Sequence, residues 1–452
     1  MTAGALRHEL AAIVGEEFAH AGDDARYLAD QTAFSAIRGA ADAIVLPADA
    51  VQVAAVVAWC HEHGVPVVPR GGGTGWAGGA VPLGSGVVVA LERMAAVRSL
   101  DPLQWRMQVE AGVTTATVRR LARENGLCFP PDPGAAEQSQ IGGNLATNAG
   151  GPHCFKYGVT GEWVTGIEAV LSPGMIVSVG GAARKDVAGY DLCGLLVGSE
   201  GTLGIITAAW LRLIPAPAGS WPACAFYADA DAGGEAVARV MAAGPIAAAI
   251  EYLDGGALAI VGGGFPGGVP ADAGFLVIAE SDTGAGDGEA LAQALGEGAI
   301  GGVVVPPDPA ALWRWRDGVG PAVTAVRGGK LSDDIAVPVE RLADAVREVA
   351  AIGVRHRLES CSWGHAGDGN LHATFLVDPR DDLAVHRARR AADELLAMAI
   401  EMGGTISGEH GIGVLKNGWL SRQWAPAAVA AHEAVKDALD PTGMFNPGKK
   451  LA

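Results

Sequence analysis

A chain of 452 residues is too long for one hydrophobic core and predicts two or three domains. Its 66 glycines far exceed the usual share of ~7%, and their clustering in a few short segments is the structural part of that excess. The net charge of -18 argues against a nucleic-acid partner and against simple electrostatic adhesion to anionic membranes.

The first elements read as an α/β alternation. Residues Ala3–Glu17 have helical spacing, with Glu9, Glu16 and Glu17 among apolar residues, and no basic or apolar leader pattern, so no signal peptide is expected. Ala43–Leu46 reads as a strand and Ala50–His63 as an amphipathic helix, with Asp49 as N-cap and Gly64 as its stop. Val65–Pro69 reads as a buried strand feeding the loop Arg70–Gly79. Val87–Leu91 and Arg106–Val109 read as strands and Thr115–Asn125 as a helix closed by Gly126. Val164–Leu171, Met175–Val179 and Leu203–Leu213 read as further strands.

Pro215–Pro222 (PAPAGSWP) reads as a linker. After it, strands are expected at Cys224–Tyr227, Phe275–Ala279 and Ile335–Pro338. Helices are expected at Glu235–Ala242, Glu289–Leu295 and Val339–Ile352, with Asp282–Gly288 as a loop. Arg357–Cys361 and Ala373–Val377 flank a turn, Asp382–Met402 is a helix of period 3.6, and Ala425–Leu439 is another. No apolar run reaches ~18 residues without charge or proline, so no transmembrane span is expected. The six cysteines (Cys60, Cys128, Cys154, Cys193, Cys224, Cys361) show no CxxC spacing and suit a reducing compartment, here the cytoplasm.

Chemistry concentrates in two places. Pro69–Gly79, PRGGGTGWAGG, follows a strand and carries three consecutive glycines, which lets backbone N–H groups converge on a pyrophosphate. It is neither GxGxxG opening a helix nor a Walker loop, which disfavours a nicotinamide or ATP site. The second place is Ser362–Phe375, SWGHAGDGNLHATF, together with Gly404–Gly413, GTISGEHGIG. The Gly-Asp-Gly turn predicts that His365 and His372 face each other across a hairpin. Glu409 lies in a second Gly-rich turn that could close over the same spot. Two imidazoles and a carboxylate suit a catalytic divalent metal with room for substrate, leaving His410 as a candidate acid/base.

Further segments fix a resemblance: Pro130–Pro133 (PPDP), Ile141–Gly151 (IGGNLATNAGG), Lys156–Thr160 (KYGVT), Gly189–Thr207 (GYDLCGLLVGSEGTLGIIT) and Phe445–Lys449 (FNPGK). With the loop and the histidine motifs, in this order, the chain from about Asp42 onward resembles the vanillyl-alcohol-oxidase, or PCMH-type, FAD flavoproteins. Within them it resembles the group of D-lactate dehydrogenase, glycolate oxidase D subunit and D-2-hydroxyglutarate dehydrogenase. The resemblance implies an α+β fold: a PCMH-type two-subdomain FAD-binding domain (1–216), an α/β substrate or cap domain with an antiparallel sheet carrying the metal-site histidines (217–402), and a C-terminal helical segment (403–452) returning to the flavin.

It also implies roles. Arg70, Gly71, Gly72, Gly73, Thr74 and Gly75 match the pyrophosphate loop. Pro131, Gly134, Gly142, Gly143, Asn144, Thr147 and Gly151 match segments around the isoalloxazine and ribityl chain. Gly158, Glu200, Gly201, Gly204 and Ile205 match those nearer the adenosine half, and Asn446 a residue returning to the flavin. His365, His372 and Glu409 match ligands of a divalent metal, Zn or Mn, and His410 the catalytic histidine, which also binds substrate. Arg316 and Lys330 are the candidates for gripping the substrate's carboxylate or distal end. The loop offers neither His nor Cys at a common attachment position, so noncovalent FAD is expected.

The implied reaction is oxidation of a D-2-hydroxy acid of the D-lactate type to the 2-oxo acid, with hydride passing to flavin N5. The alternatives are a same-fold oxidoreductase acting on another alcohol, or the D subunit of a glycolate-oxidising complex. Gly320 and Thr374 depart from the D-2-hydroxyglutarate branch, where a hydroxyl and an Asn stand. The acceptor of the electrons is expected to be a quinone, a cytochrome or an electron-transfer flavoprotein. A cytoplasmic protein is expected, with peripheral membrane association and a homodimer left open.

Overall fold

The computed structural model describes residues 2–32 and 37–451. The chain divides into two compact units, one of Met1–Gly150, Val159–Ala216 and Glu409–Ala452, the other of Gly151–Gly158 and Pro217–Gly408.

The first unit holds two main sheets. One has four strands in the order Ala19–Ala21, Ala43–Val45, Val87–Ala90, Val67–Arg70. Its last three strands are parallel, so both faces are covered and the strands are almost continuously apolar. The helix Ala50–His63 crosses between two of them. Asp49 caps it by accepting the Gln52 N–H at 2.8 Å, and Gly64 ends it in the left-handed region at φ 63°. Val53, Val56, Val57 and Cys60 recur at helical spacing and are buried against the sheet core with Val67 and Val89. The second sheet is antiparallel, in the order Val97–Asp101, Arg106–Glu110, Ile205–Arg212, Val164–Leu171, Met175–Gly180.

The second unit is built on one antiparallel sheet of seven strands: Ile300–Val304, Trp221–Tyr227, Phe275–Ser281, Ala249–Asp254, Ser360–His365, Asn370–Val377 and Gly329–Ala336. Helices Ala230–Ala242, Ala285–Leu295, Leu342–His356 and Asp382–Glu401 bury one apolar stripe each. Among the described residues no helix is long and apolar enough to cross a membrane. All six cysteines are free thiols.

Several expected elements change length. The linker is shorter than PAPAGSWP, because Trp221 and Pro222 already pair with Ser281 and Glu280. The helix after it begins at Ala230, where Asp229 supplies the cap. The strand expected at Ile335–Pro338 runs instead over Gly329–Ala336 and contains Lys330, Asp333 and Asp334, all buried. The strands Ala19–Ala21, Val97–Asp101 and Ala249–Asp254 and the helices Gly255–Val261, Pro309–Asp317 and Val319–Arg327 have no counterpart in the sequence reading.

Candidate functional site

In the first unit the glycine loop leaves the Val67–Arg70 strand and packs against Gln138–Gly143. A Cβ on Gly72 would meet the Gln138 carbonyl oxygen at 2.1 Å, and Gly73 turns at φ 68° directly over the Arg70 guanidinium. Only a side-chain-free backbone fits there. Gly71 abuts Gly143, Thr74 follows in the loop, and the Gly75 carbonyl accepts the Gln31 N–H at 3.0 Å. Arg70 itself turns inward: it donates to the Arg26 carbonyl at 2.9 Å and lies over the Tyr27 ring, and burial lowers its pKa. Arg70 therefore shapes the loop from inside.

The other matched residues of this unit divide into linkers and spacers. Asn144 donates to Thr115 Oγ1 at 2.6 Å, and Thr147 to the Gly143 carbonyl at 3.2 Å, within the short helix Ile141–Thr147. Gly142 presses on Ala111, while the hydrogen of Gly143 that a Cβ would replace faces open space, as at Gly134. Pro131 is buried. Gly204 and Ile205 sit against Val170 in the antiparallel sheet. Gly201 abuts Pro69.

Asn446 joins these pieces. Its Nδ2 donates to the Gly79 carbonyl at 2.9 Å and to the Glu200 carbonyl at 2.7 Å, and its N–H donates to Val67 at 2.7 Å. Lys449 donates back to its Oδ1 at 2.6 Å. The Glu200 side chain turns to the peptides after His410, accepting the Ile412 and Gly413 N–H groups, and pairs with Lys450 at 3.3 Å. Three segments matched to the cofactor site are thus cross-linked by one asparagine. His410 Nε2 lies 3.8 Å from Glu409 Oε1, and its ring stacks on Trp76 of the glycine loop at 5.5 Å.

Gly151 and Gly158 group with the second unit, bracketing Cys154–Tyr157. His153 bonds Glu280 at 2.8 Å, and Lys156 and Tyr157 both contact Asp282.

The hairpin of the second unit carries His365 and His372. As the sequence predicts, they face each other across the hairpin; the direct register pairs His365 with Asn370 and Trp363 with His372. The two imidazoles meet on the diagonal, ring centroids 5.4 Å apart and nearly perpendicular, with ring nitrogens within 4.8 Å. The turn is a single 3-10 turn, Ala366–Asp368, closed by Gly369 at φ 68°.

Two buried acidic residues flank this pair, and a third, Asp254, holds the strand that carries His365. Glu251, fully buried, is the register partner of His365 and bonds its Nδ1 at 2.5 Å. Asp334 is the register partner of His372, with a carboxylate oxygen within 4.8 Å of a His372 ring nitrogen, and it accepts from Asn370 Nδ2 at 2.6 Å and Ser407 Oγ at 3.0 Å. Asp254 accepts from the N–H of Ser362, and burial raises its pKa to about 6. None of the three was legible in the sequence, which carried no sign of the Ala249–Asp254 strand or of the length of the Gly329–Ala336 strand.

Of the two candidate substrate cations, Arg316 is buried and paired with Glu251: its Nε donates to Oε2 at 2.7 Å, and its Nη2 is in ion contact with the same oxygen at 2.5 Å. Lys330 is buried over the Trp363 ring, 4.9 Å from its centroid, and donates to the Gly320 carbonyl at 3.2 Å. Loss of hydration lowers its pKa to about 8.

Comparison with known proteins agrees with both halves. Residues 41–180 match an FAD binding domain, and residues 220–450 match the FAD linked oxidases, C-terminal domain. The glycolate oxidase subunit GlcD of Bacillus subtilis is 36% identical over 415 residues, 90% of this chain and 88% of that protein. A D-lactate dehydrogenase of Archaeoglobus fulgidus is 34% identical over 412 residues, 90% of each. The solved structure of p-cresol methylhydroxylase superposes with a TM-score of 0.77 at 18% identity, covering 99% of this chain and 96% of that one, which shows the PCMH-type fold. An FAD binding domain, a matching oxidase C-terminal domain and relatives spanning nine-tenths of the chain lead to one assignment: the chain belongs to the FAD-linked oxidases and is an FAD-dependent oxidoreductase.

Proposed function

We propose that this oxidoreductase is a divalent-metal-assisted dehydrogenase that oxidises a D-2-hydroxy acid of the D-lactate type to the 2-oxo acid. The observation that carries the reading is the diagonal pair of buried imidazoles, His365 and His372, each backed by a buried carboxylate. Such a donor set suits Zn²⁺ or Mn²⁺. Glu409 is proposed as the third ligand. In its favour, Gly408 packs against Asn370 and Asp334, and Glu409 follows one peptide, ~3.8 Å, further on. The names of two relatives, a glycolate oxidase subunit and a D-lactate dehydrogenase, both refer to 2-hydroxy acids.

The metal would supply Lewis acidity to the substrate's hydroxyl and carboxylate oxygens. FAD, held noncovalently by the glycine loop and the residues tied to Asn446, would supply the hydride acceptor. This chain's own groups do the rest. Neutral His410 takes the substrate hydroxyl proton at an imidazole nitrogen, and Trp76 stacks on its ring. Lys330 presents an ammonium, already largely desolvated, to the substrate carboxylate. Arg316, expected from the sequence as a substrate cation, is instead engaged by the Glu251 carboxylate and serves that residue. Gly320 offers no side chain beside Lys330, and the Thr374 hydroxyl is engaged with Ser332 at 2.8 Å. Both features favour a short substrate with one carboxylate.

The deciding experiment is anaerobic addition of D- and L-2-hydroxy acids to the yellow protein. Bleaching of the flavin by D-lactate-like acids, and not by L-enantiomers, is expected. A flavin unchanged by every acid in the panel would reject the reading. A second reading, the D subunit of a glycolate-oxidising complex, is favoured by the name of the 36% identical relative. Steady turnover by the isolated chain with an artificial acceptor decides against it.

A further inference from the structure

The Ala249–Asp254 strand, invisible to the sequence reading, places one carboxylate where it serves two elements at once. Glu251 has no exposed surface. One of its oxygens meets His365 Nδ1 at 2.5 Å, and the other meets Arg316 Nε at 2.7 Å and Nη2 at 2.5 Å. The strand register fixes the first contact, since Glu251 and His365 are direct cross-strand partners. The second contact comes from the last turn of helix Pro309–Asp317, where Arg316 is itself buried.

We propose that Glu251 is the positioning residue that sets the tautomer and ring orientation of His365 for metal binding, with Arg316 as the counter-charge that keeps the carboxylate in place. The inference rests on the metal reading above.

The argument is one of donors and acceptors. An ionised carboxylate only accepts, so the imidazole nitrogen facing it must carry the proton. With Nδ1–H turned to Glu251, coordination falls to Nε2. The same bond makes the ring a more basic ligand and removes its rotational freedom. Guanidinium does not lose its proton in proteins, so Arg316 compensates the buried carboxylate permanently. Its Nε–H donates to one oxygen of that carboxylate, and Nη2 lies in ion contact with the same oxygen, so the delocalised guanidinium charge sits directly against Glu251.

The test uses the full-length, FAD-loaded protein, stripped of metal and titrated with Zn²⁺ against a chromophoric chelator. Glu251→Gln keeps size and an acceptor oxygen but removes the charge. Its Zn²⁺ affinity should fall about 10–100-fold, the range for losing an outer-shell partner, with flavin content unchanged. Unchanged Zn²⁺ affinity, including the case of a lowered melting temperature alone, marks a purely structural ion pair and overturns the proposal. If Glu251→Gln does not accumulate because Arg316 is left uncompensated, the neutral pair Glu251→Gln/Arg316→Gln takes its place. The same loss of affinity is expected there, and affinity equal to wild type again overturns the proposal. Wild-type protein that takes up no Zn²⁺ removes the metal reading itself. Wild-type uptake with an unaffected variant removes only the role of Glu251.

Discussion

Glu200 and Gly413 stand 213 residues apart and are joined by a hydrogen bond of 2.7 Å, the Gly413 N–H donating to the Glu200 carboxylate. Ile412 donates to the other oxygen at 2.9 Å, and Lys450 lies 3.3 Å away. One buried side chain therefore satisfies two buried peptides that immediately follow His410 and Gly411.

Replacing Glu200 with Ala strands both amides. Each unsatisfied buried donor costs about 1–3 kcal/mol, so a stability loss of roughly 2–5 kcal/mol is expected. Glu200→Gln, which keeps one acceptor oxygen, should lose less. Denaturant titration of the flavin-loaded protein measures both. Equal stability of Glu200→Ala and wild type would show that the peptides find other acceptors.

His410→Asn should lower kcat for the 2-hydroxy acid by about 10²–10⁴-fold, the range for removing general-base assistance, with flavin content unchanged. Near-normal flavin reduction in this variant would reassign the base, and Lys330 would be the next residue to test.

His372→Ala, or prolonged chelation, should abolish substrate-dependent flavin bleaching while the visible flavin spectrum of the resting protein persists. Full turnover in a sample shown by elemental analysis to be metal-free would remove the metal from the mechanism.

Acid precipitation should leave the flavin in the supernatant, because the loop PRGGGTGWAGG contains no His or Cys to bond it. Yellow pellets after washing would contradict noncovalent binding.

Lys330 makes a pH prediction. Burial lowers its pKa from 10.5 to about 8. Below pH 8 both folded and unfolded chains hold the proton, and the cost of the buried ammonium is constant. Between pH 8 and 10.5 the unfolded chain holds more protons than the folded one, so this residue makes stability rise with pH across that window. Lys330→Met should flatten the rise relative to wild type. Lys449, also lowered to about 8 by burial, keeps its own share in the variant. Denaturation midpoints followed across the window settle it, and parallel curves would refute it.

Local signals were legible where the chain obeys local rules. Asp49, the apolar spacing of Val53, Val56, Val57 and Cys60, and Gly64 delimit a helix that matches its expected bounds. The glycine loop and both histidines were visible as motifs. What escaped was set by long-range packing. Lys330, Asp333 and Asp334 look unlike strand residues, yet the pairing of Gly329–Ala336 with Asn370–Val377 buries all three. Glu251 bonds residues 65 and 114 positions away, and no spacing rule links such partners. His365 and His372 do meet across the hairpin, but on the diagonal, two residues out of direct register, because the turn holds a 3-10 segment that sets Asn370 opposite His365.

The threefold attachment of Asn446 to Val67, Gly79 and Glu200 has a consequence for biosynthesis. The second unit draws almost entirely on the continuous stretch Pro217–Gly408, whereas the first also needs residues from Glu409 onward. At ribosomal speeds of roughly 5–20 residues per second, the last pieces of the first unit arrive on the order of ten to forty seconds after Ala216. During that interval the glycine loop lacks its asparagine bracket. Closure of the glycine loop by Asn446 is therefore a late event in the life of the nascent chain, completed only after the histidine hairpin has been synthesised.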